Sequence, residues 1–483
     1  MNISETKVAE ELKLITDATS NIDIISGGIV KGINIYNHAV NILISYKENK
    51  FCSSKQIKEE IEKKLIKKFP KIKLKIDNNP NYSTHSEIPH ILKLSELSKE
   101  NGENKDKWNM DSHKLFWHLD RVEKWQNGER IAPLHIDMGI SNGCNMACTY
   151  CYGVIQNRSG FGTNQKKIFH MPKFAVKRFF KDAKDVGVRS IALIGEGENT
   201  LHPDFHEILE YGKSINLDLS LATNGINLNS KNADLLLTSL KWLRINISAG
   251  TYEGFEKIHR LDRKQMDRVL KNITDLAKIK KEKKYDCTLG FQMVVTKENF
   301  NEIVPLAKIG KECGVDYFVV KPCSDTYDHR LDAPTGEYIE TLNTFKEAEK
   351  FANKDYAVNI KWKKAMNGGW KDYDYCMGTQ FILGLSGTGN LFPCGHWFNE
   401  RKDEFNLGNV IENSFKEILN SERYWEVQEK IRKTVNVNND CESNCRQHYV
   451  NRFLFHEGQD SLDEIKIKNK DKIINKPNHI NFI

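Results

Sequence analysis

Residues 134–151 read Leu-His-Ile-Asp-Met-Gly-Ile-Ser-Asn-Gly-Cys-Asn-Met-Ala-Cys-Thr-Tyr-Cys. The first half, 134–140, is a short apolar-rich run of the kind that forms a buried strand. The second half places Cys144, Cys148 and Cys151 within eight residues, in the loop that follows. The same rhythm continues downstream, with apolar runs at 189–194, 217–222, 243–248, 288–295 and 315–321 alternating with amphipathic helical segments. One of these, 172–186, carries Pro172 in its first turn and Gly187 just past its end, as helix termini prefer. Strand and helix units with near-continuous apolar strands predict an α/β fold around a parallel sheet, open or closed into a partial barrel. In that architecture chemistry sits at the C-terminal ends of the strands.

The rest of the chain sets bounds on that reading. Its 483 residues suggest two to four domains at the loose prior of about 150 each. Charged residues make up 28%, hydrophobic ones 39%, and the mean hydropathy is −0.57. No apolar run reaches the length of a membrane span, so no membrane partner is expected. The start, 1–12, lacks a basic segment followed by an apolar one, and the expected location is the cytoplasm. A net charge of +7, from 72 Lys and Arg against 65 Asp and Glu, does not call for nucleic acid. The basic runs 278–284 and 466–472 read as a solvated helix face and a frayed terminus.

Before the βα region, 28–35 and 39–46 read as a hairpin. Ile57, Ile61 and Leu65 recur at helical spacing after Ser53-Ser54, Pro70 ends that helix, and 71–76 alternates as a half-exposed strand. The polar stretches 77–86 and 98–107 read as linker. The domain boundaries are then 1–80 for a small α/β domain, 81–130 for a linker and lead-in helix, 131–365 for the βα core, 366–458 for a second cysteine-bearing domain, and 459–483 for a loose polar tail.

The chain has 11 cysteines, an odd number that favours metal or redox chemistry over structural disulfides. Three thiolates spaced as Cys144, Cys148 and Cys151 suit three irons of a 4Fe-4S cluster and leave the fourth iron open. Zinc is the alternative, but a structural zinc site takes four protein ligands.

Cys144-Asn-Met-Ala-Cys148-Thr-Tyr-Cys151 resembles the CxxxCxxC signature of the radical S-adenosylmethionine (SAM) enzymes, with Tyr150 at the aromatic position. The resemblance runs over roughly 134–324 and implies a partial (β/α)6 barrel. It also implies SAM chelated at the open iron of a 4Fe-4S cluster, cleavage to a 5′-deoxyadenosyl radical, hydrogen abstraction from a substrate, and a flavodoxin- or ferredoxin-type electron donor. Gly195-Glu196-Gly197-Glu198-Asn199 is similar to the family's GGEP element, departing from it at Glu196 for Gly and Asn199 for Pro. Thr223-Asn224-Gly225 and Asn246-Ile247-Ser248 follow at later strand ends. Tyr150, Gly197, Glu198, Thr223, Asn224 and Ser248 are the SAM-binding candidates that this resemblance implies.

Cys376, Gly389, Cys394, Asn406-Leu-Gly-Asn409, Cys441 and Cys445 resemble the SPASM extension or its shortened Twitch form. Four thiolates imply one fully ligated auxiliary 4Fe-4S cluster in a Twitch-like domain, with a four-cysteine zinc knuckle as the alternative. The helix 446–453 would close over it. At the front, Ile25-Ser-Gly-Gly-Ile29-Val-Lys-Gly-Ile33 followed by Cys52 resembles the small iron–sulfur assembly domain that precedes Mrp/ApbC-type carrier ATPases, with Ser53 in place of the usual Pro. Gly212-Lys213-Ser214 is no phosphate-binding loop, because Glu207 stands where a Gly is required.

Cys323, at the end of the sixth strand run, is the candidate catalytic thiol, a hydrogen-atom donor to a substrate radical; a buried packing residue is the plainer reading. Lys321 is a candidate partner for a substrate carboxylate or phosphate. Cys287 and Cys313 read as core, and His202 and His206 as surface residues on one helix face. The expected substrate is a small polar, sugar-like molecule or a ribosomally made peptide, with the first preferred. An iron–sulfur cluster assembly or transfer protein is the alternative class.

Overall fold

The computed structural model describes residues 3, 5–17, 23–25, 29–36, 39–46, 54–78, 107–326, 328–334, 338–366, 369, 371–474 and 476–483. They fall into two compact units, one comprising 1–105, 334–342 and 362–372 and the other the remainder.

In the first unit, β1 (Val30–Tyr36) pairs antiparallel with β2 (Ala39–Ile44), which pairs parallel with β3 (Lys73–Asn78). The helix Ser54–Lys68 buries Ile57, Ile61 and Leu65 at the expected helical spacing and ends in Lys67 and Lys68, where cations suit the carbonyl end of a helix. Val8, Ala9 and Leu12 of the helix Glu5–Leu12 close the same small core. The hairpin and helix follow the sequence reading, with the third strand displaced to Lys73–Asn78. Cys52, Ser53 and residues 26–28, which carry much of the assembly-domain resemblance, lie outside the described residues.

The second unit is built on one sheet. Six strands run parallel in chain order: β4 (His135–Met138), then past the short β5 (Gly143–Cys144) and β6 (Ser159–Gly160), β7 (Ser190–Leu193), β8 (Asp218–Thr223), β9 (Leu240–Asn246), β10 (Thr288–Val295) and β11 (Tyr317–Pro322). β7 and β10 are buried along their whole length, which explains their near-continuous apolar sequence. Between them, helices turn an apolar stripe inward. The helix Lys173–Asp185 buries Ala175, Val176, Phe179, Phe180 and Ala183, and Gly187 takes a left-handed φ of 93° just past its end.

The sheet extends beyond the six strands. β12 (Ala357–Ile360) adds parallel to β11, and β13 (Ile382–Leu385) adds parallel to β4 on the other side. β14 (Asn390–Phe392) and β15 (Gly408–Asn409) continue antiparallel. The cysteine-bearing segment read as a separate domain at 366–458 therefore supplies three strands of the same sheet as the six parallel strands.

The tail is packed, which corrects the expectation of a loose terminus. Ser461 and Glu464 form a reciprocal capping box on the helix Leu462–Lys468, whose Ile465 is fully buried. Phe482 sets its ring 5.6 Å from those of His135 and Trp242. Asn481 Nδ2 donates to Asp218 Oδ2 at 2.7 Å, and Arg446 Nη2 donates to the Ile483 carbonyl at 2.8 Å. The apolar residues responsible are few and irregularly spaced, so no local periodicity announces them. Among the described residues no helix is long and apolar enough to cross a membrane. Phe482→Ala is expected to lower unfolding stability by about 3 kcal/mol, the usual cost of emptying a buried aromatic site, in urea denaturation; a loose tail would give no change.

Candidate active site

The cysteine loop is held by backbone and by small polar side chains. Asn142 Oδ1 accepts from Ser159 Oγ at 2.9 Å and from the Phe169 amide at 2.8 Å, and the Thr149 amide donates to the Ile258 carbonyl at 2.9 Å. Cys144 lies in β5 beside β6, where Gly160 has φ 95° and a Cβ would stand 2.4 Å from the Cys144 carbonyl oxygen, so only glycine fits. Cys151 caps the short helix Tyr152–Ile155. All three cysteines are half-buried and free of disulfides.

Burial, Glu198 and Cys151 push the Cys144 thiol up to about 12, and burial with both neighbouring cysteines pushes Cys148 well above its ordinary value. The thiolate forms of Cys144 and Cys148 are therefore favoured only beside positive charge. That fits a polynuclear iron centre, whose irons supply the charge.

The strand-end motifs meet this loop. Gly197 packs so closely that a Cβ would lie 2.5 Å from the Ser141 carbonyl oxygen and 2.6 Å from that of Gly143, and the Glu198 amide donates to Gly143 O at 2.8 Å. The buried Glu198 carboxylate ties two strand ends together. Its Oε1 accepts from the Thr200 amide at 3.1 Å, Thr200 Oγ1 at 2.6 Å and Thr223 Oγ1 at 2.8 Å, while Oε2 accepts from the Asn224 amide at 2.7 Å. Asn224 Nδ2 donates to Asn145 Oδ1 at 2.7 Å and stands 3.9 Å from Cys144 Sγ. Ser248 Oγ accepts from the Val294 amide at 3.0 Å. Tyr150 hydrogen-bonds through its hydroxyl to both Ser248 and Cys148.

Two residues here escaped the sequence reading. His259, fully buried, places Nδ1 3.0 Å from Cys148 Sγ. Glu196, at a departure from the family motif, accepts from Ser386 Oγ at 2.6 Å and from the Gly387 amide at 3.0 Å, fastening the β7 end to the β13–β14 turn. Burial pushes its carboxyl up. Only the odd residue in the glycine motif hinted at Glu196. Nothing local marked His259.

The second cysteine group also gathers. Burial and then Cys441, Cys445 and Cys376 push the Cys394 thiol well above its usual range, so the four sulfurs share one neighbourhood. Asn451 Nδ2 donates to Cys376 Sγ at 3.3 Å, and its Oδ1 accepts from the Met377 and Gly378 amides at 2.7 and 2.8 Å. The helix His448–His456 thus closes over this group, beginning two residues after 446.

The two cysteine groups are joined directly. Tyr152, next to Cys151, donates its hydroxyl to His396 Nδ1 at 2.7 Å, and His396 Nε2 donates to the Asp440 carbonyl at 2.8 Å. Asn444 Nδ2 donates to the Cys323 carbonyl at 2.7 Å, which pins the Cys441 to Cys445 loop to the end of β11. Cys323 itself is 1% exposed, packs with Val294 and Ala333 against Tyr150, and has its thiol pushed up to about 12, by burial first and with Cys151 among the other causes. Lys321, two residues earlier in β11, is half-buried, while Cys287 and Cys313 are buried.

His202 and His206 do not share a helix face, because the helix begins at Phe205, after Pro203. His202 is buried, its Nε2 on the Met171 carbonyl at 2.7 Å, while His206 meets Asn232. They form no metal pair and are not both surface residues.

The chain is similar to known proteins. The Radical SAM superfamily model matches residues 138–309, and the SPASM iron–sulfur cluster-binding domain model matches 376–447, a span that holds all four later cysteines. The chain carries a radical SAM domain followed by a SPASM domain. A 4Fe-4S cluster with SAM is the cofactor set of the first domain and an iron–sulfur centre that of the second, in place of zinc. The chain is 23% identical over 321 residues to the antilisterial bacteriocin subtilosin biosynthesis protein AlbA of Bacillus subtilis (strain 168), covering 61% of this chain and 62% of that one. A probable GTP 3′,8-cyclase of Saccharolobus islandicus is 25% identical over 199 residues, 41% of this chain and 57% of that one. This chain thus spans about six-tenths of the length of these relatives. The crystal structure of Streptococcus suis SuiB bound to precursor peptide SuiA aligns over 85% of this chain and 88% of its own, at 15% identity and a TM-score of 0.47.

Gly197→Ala is expected to force the cysteine loop off the β7 end, at a cost of about 1–3 kcal/mol, and to lower iron bound per chain after anaerobic reconstitution. Glu198→Gln, which turns one accepting oxygen into a donor facing donors, is expected to lower the unfolding midpoint by a similar energy in thermal denaturation.

Proposed function

We propose that this enzyme modifies a ribosomally made peptide by abstracting a hydrogen atom from it, in preference to the small polar substrate favoured by sequence. The observation that carries this reading is the similarity to the subtilosin biosynthesis protein, which extends over 321 residues and so well beyond the 138–309 core. Cys144, Cys148 and Cys151 would hold the cluster that, with SAM bound, supplies the hydrogen-abstracting radical chemistry, and Cys376, Cys394, Cys441 and Cys445 would hold the auxiliary cluster.

Within this reading Gly197, Thr223, Asn224 and Ser248 border the SAM side of the cysteine loop, and Glu198 holds two of those strand ends in register. Tyr150 stands between the loop and Cys323. Cys323 is the hydrogen-atom donor: its S–H bond breaks as a substrate C–H bond forms, and a flavodoxin- or ferredoxin-type donor returns one electron, with a solvent proton, to the sulfur. A low-potential donor and free thiols suit the cytoplasm.

The test is anaerobic turnover with dithionite, SAM and synthetic peptides encoded by short reading frames beside the gene. A peptide of altered mass or stereochemistry, formed with 5′-deoxyadenosine, is the expected result. Turnover of a sugar-like metabolite with none of the peptides consumed would refute it. In heavy water, Cys323→Ala is expected to keep 5′-deoxyadenosine release while deuterium incorporation into product falls at least about tenfold. Unchanged incorporation would remove Cys323 from the reaction.

A further inference from the structure

His259 ends the helix Tyr252–His259 with no exposed surface, yet both ring nitrogens have partners. Nε2 lies 2.9 Å from the Ser248 backbone nitrogen. A backbone N–H only donates, so Nε2 must be the bare nitrogen, and the single ring proton of a neutral imidazole then sits on Nδ1. That nitrogen is 3.0 Å from Cys148 Sγ. The tautomer follows from the partner on the far side of the ring, and it directs an N–H at the sulfur.

We propose that His259 is a positioning residue that donates an Nδ1–H hydrogen bond to the Cys148 sulfur and thereby raises the reduction potential of the cluster held by Cys144, Cys148 and Cys151. The inference rests on the assignment of that cluster. One-electron reduction adds negative charge to the irons and their sulfurs, so a donor aimed at a ligand sulfur stabilises the reduced form more than the oxidised one. The electron comes from a low-potential one-electron donor, no proton moves, and no bond at His259 breaks.

The surroundings strengthen the effect. The Phe255 ring lies 4.8 Å from that of His259 and the Tyr150 ring 5.9 Å away, so little water competes for the sulfur. The Tyr150 hydroxyl is a second group on the same sulfur. The Ser248 amide, at the end of β9, fixes the ring plane, so this strand end sets the orientation of a donor to the cysteine loop.

The test is an anaerobic redox titration of the reconstituted full chain with dithionite. It follows, by electron paramagnetic resonance, the reduced-cluster signal that changes when SAM is added, which separates it from the auxiliary centre. His259→Asn places its amide nitrogen near the position of Nδ1 and keeps the donor. His259→Gln places its amide near Nε2, keeps the Ser248 contact and leaves the sulfur bare. At the wild-type midpoint, the ratio of reduced to oxidised cluster is expected to fall about tenfold in His259→Gln and to stay within about twofold in His259→Asn.

A wild-type midpoint in His259→Gln, or an equal shift in both variants, would overturn the proposal. If His259→Gln fails to hold its cluster, the unmutated enzyme decides. A deuterium-exchangeable proton coupled to the SAM-responsive cluster and to nitrogen in 15N-histidine-labelled protein supports the proposal, and its absence overturns it. Absence of any SAM-responsive signal would overturn the cluster assignment too, an outcome distinct from an unshifted midpoint.

Discussion

Three cysteine sulfurs crowded into one loop are a charge problem, and the second unit is arranged around its solution. Burial first, then Glu198 at Cys144 and the neighbouring cysteines, push the Cys144 and Cys148 thiols up, so thiolates in this loop are favoured beside positive irons. The protein supplies the rigid frame. Backbone of the β7 end lies flat against Ser141 to Gly143, at a separation that a single Cβ would violate. The Glu198 carboxylate carries that frame across to the β8 end.

The SPASM segment depends on the same frame. β13 adds to β4, the strand that leads into the cysteine loop, so one sheet supplies strands next to both cysteine groups. Tyr152 and His396 then join the two loops across a single hydrogen bond, and Glu196 fastens the β7 end to the β13–β14 turn. A carboxylate buried for that purpose needs donors to offset its desolvation, and Ser386 with the Gly387 amide supplies them. The family's glycine at this position could not make that link. Relative placement of two redox centres is in this way a property of the strand order itself.

Much of this was legible before any coordinates. The six parallel strands announced themselves by near-continuous apolar runs, because strands buried on both faces leave no polar alternation. The cysteine spacings and the strand-end glycines were legible because ligand sets and close backbone contacts constrain residue type within a few positions. The tail was misread: Ile465, Phe482 and Ile483 are scattered among polar residues, and their burial depends on surfaces formed hundreds of residues earlier. His202 was misplaced because Pro203 moves the helix start past it.

Sequence alone determined the chemistry this chain is equipped for, since the identities and spacings of seven cysteines and a set of strand-end residues are local facts. Tertiary structure decided which distant neighbours hold and face those groups. His259 stands 111 positions from Cys148, and only the return of a helix onto the β9 end brings its ring nitrogen to the sulfur. Asn444 reaches Cys323 across 121 positions, and Ser386 reaches Glu196 across 190. Hydrogen bonds need atoms within about 3 Å, and no pattern along the chain encodes which distant segments will supply them.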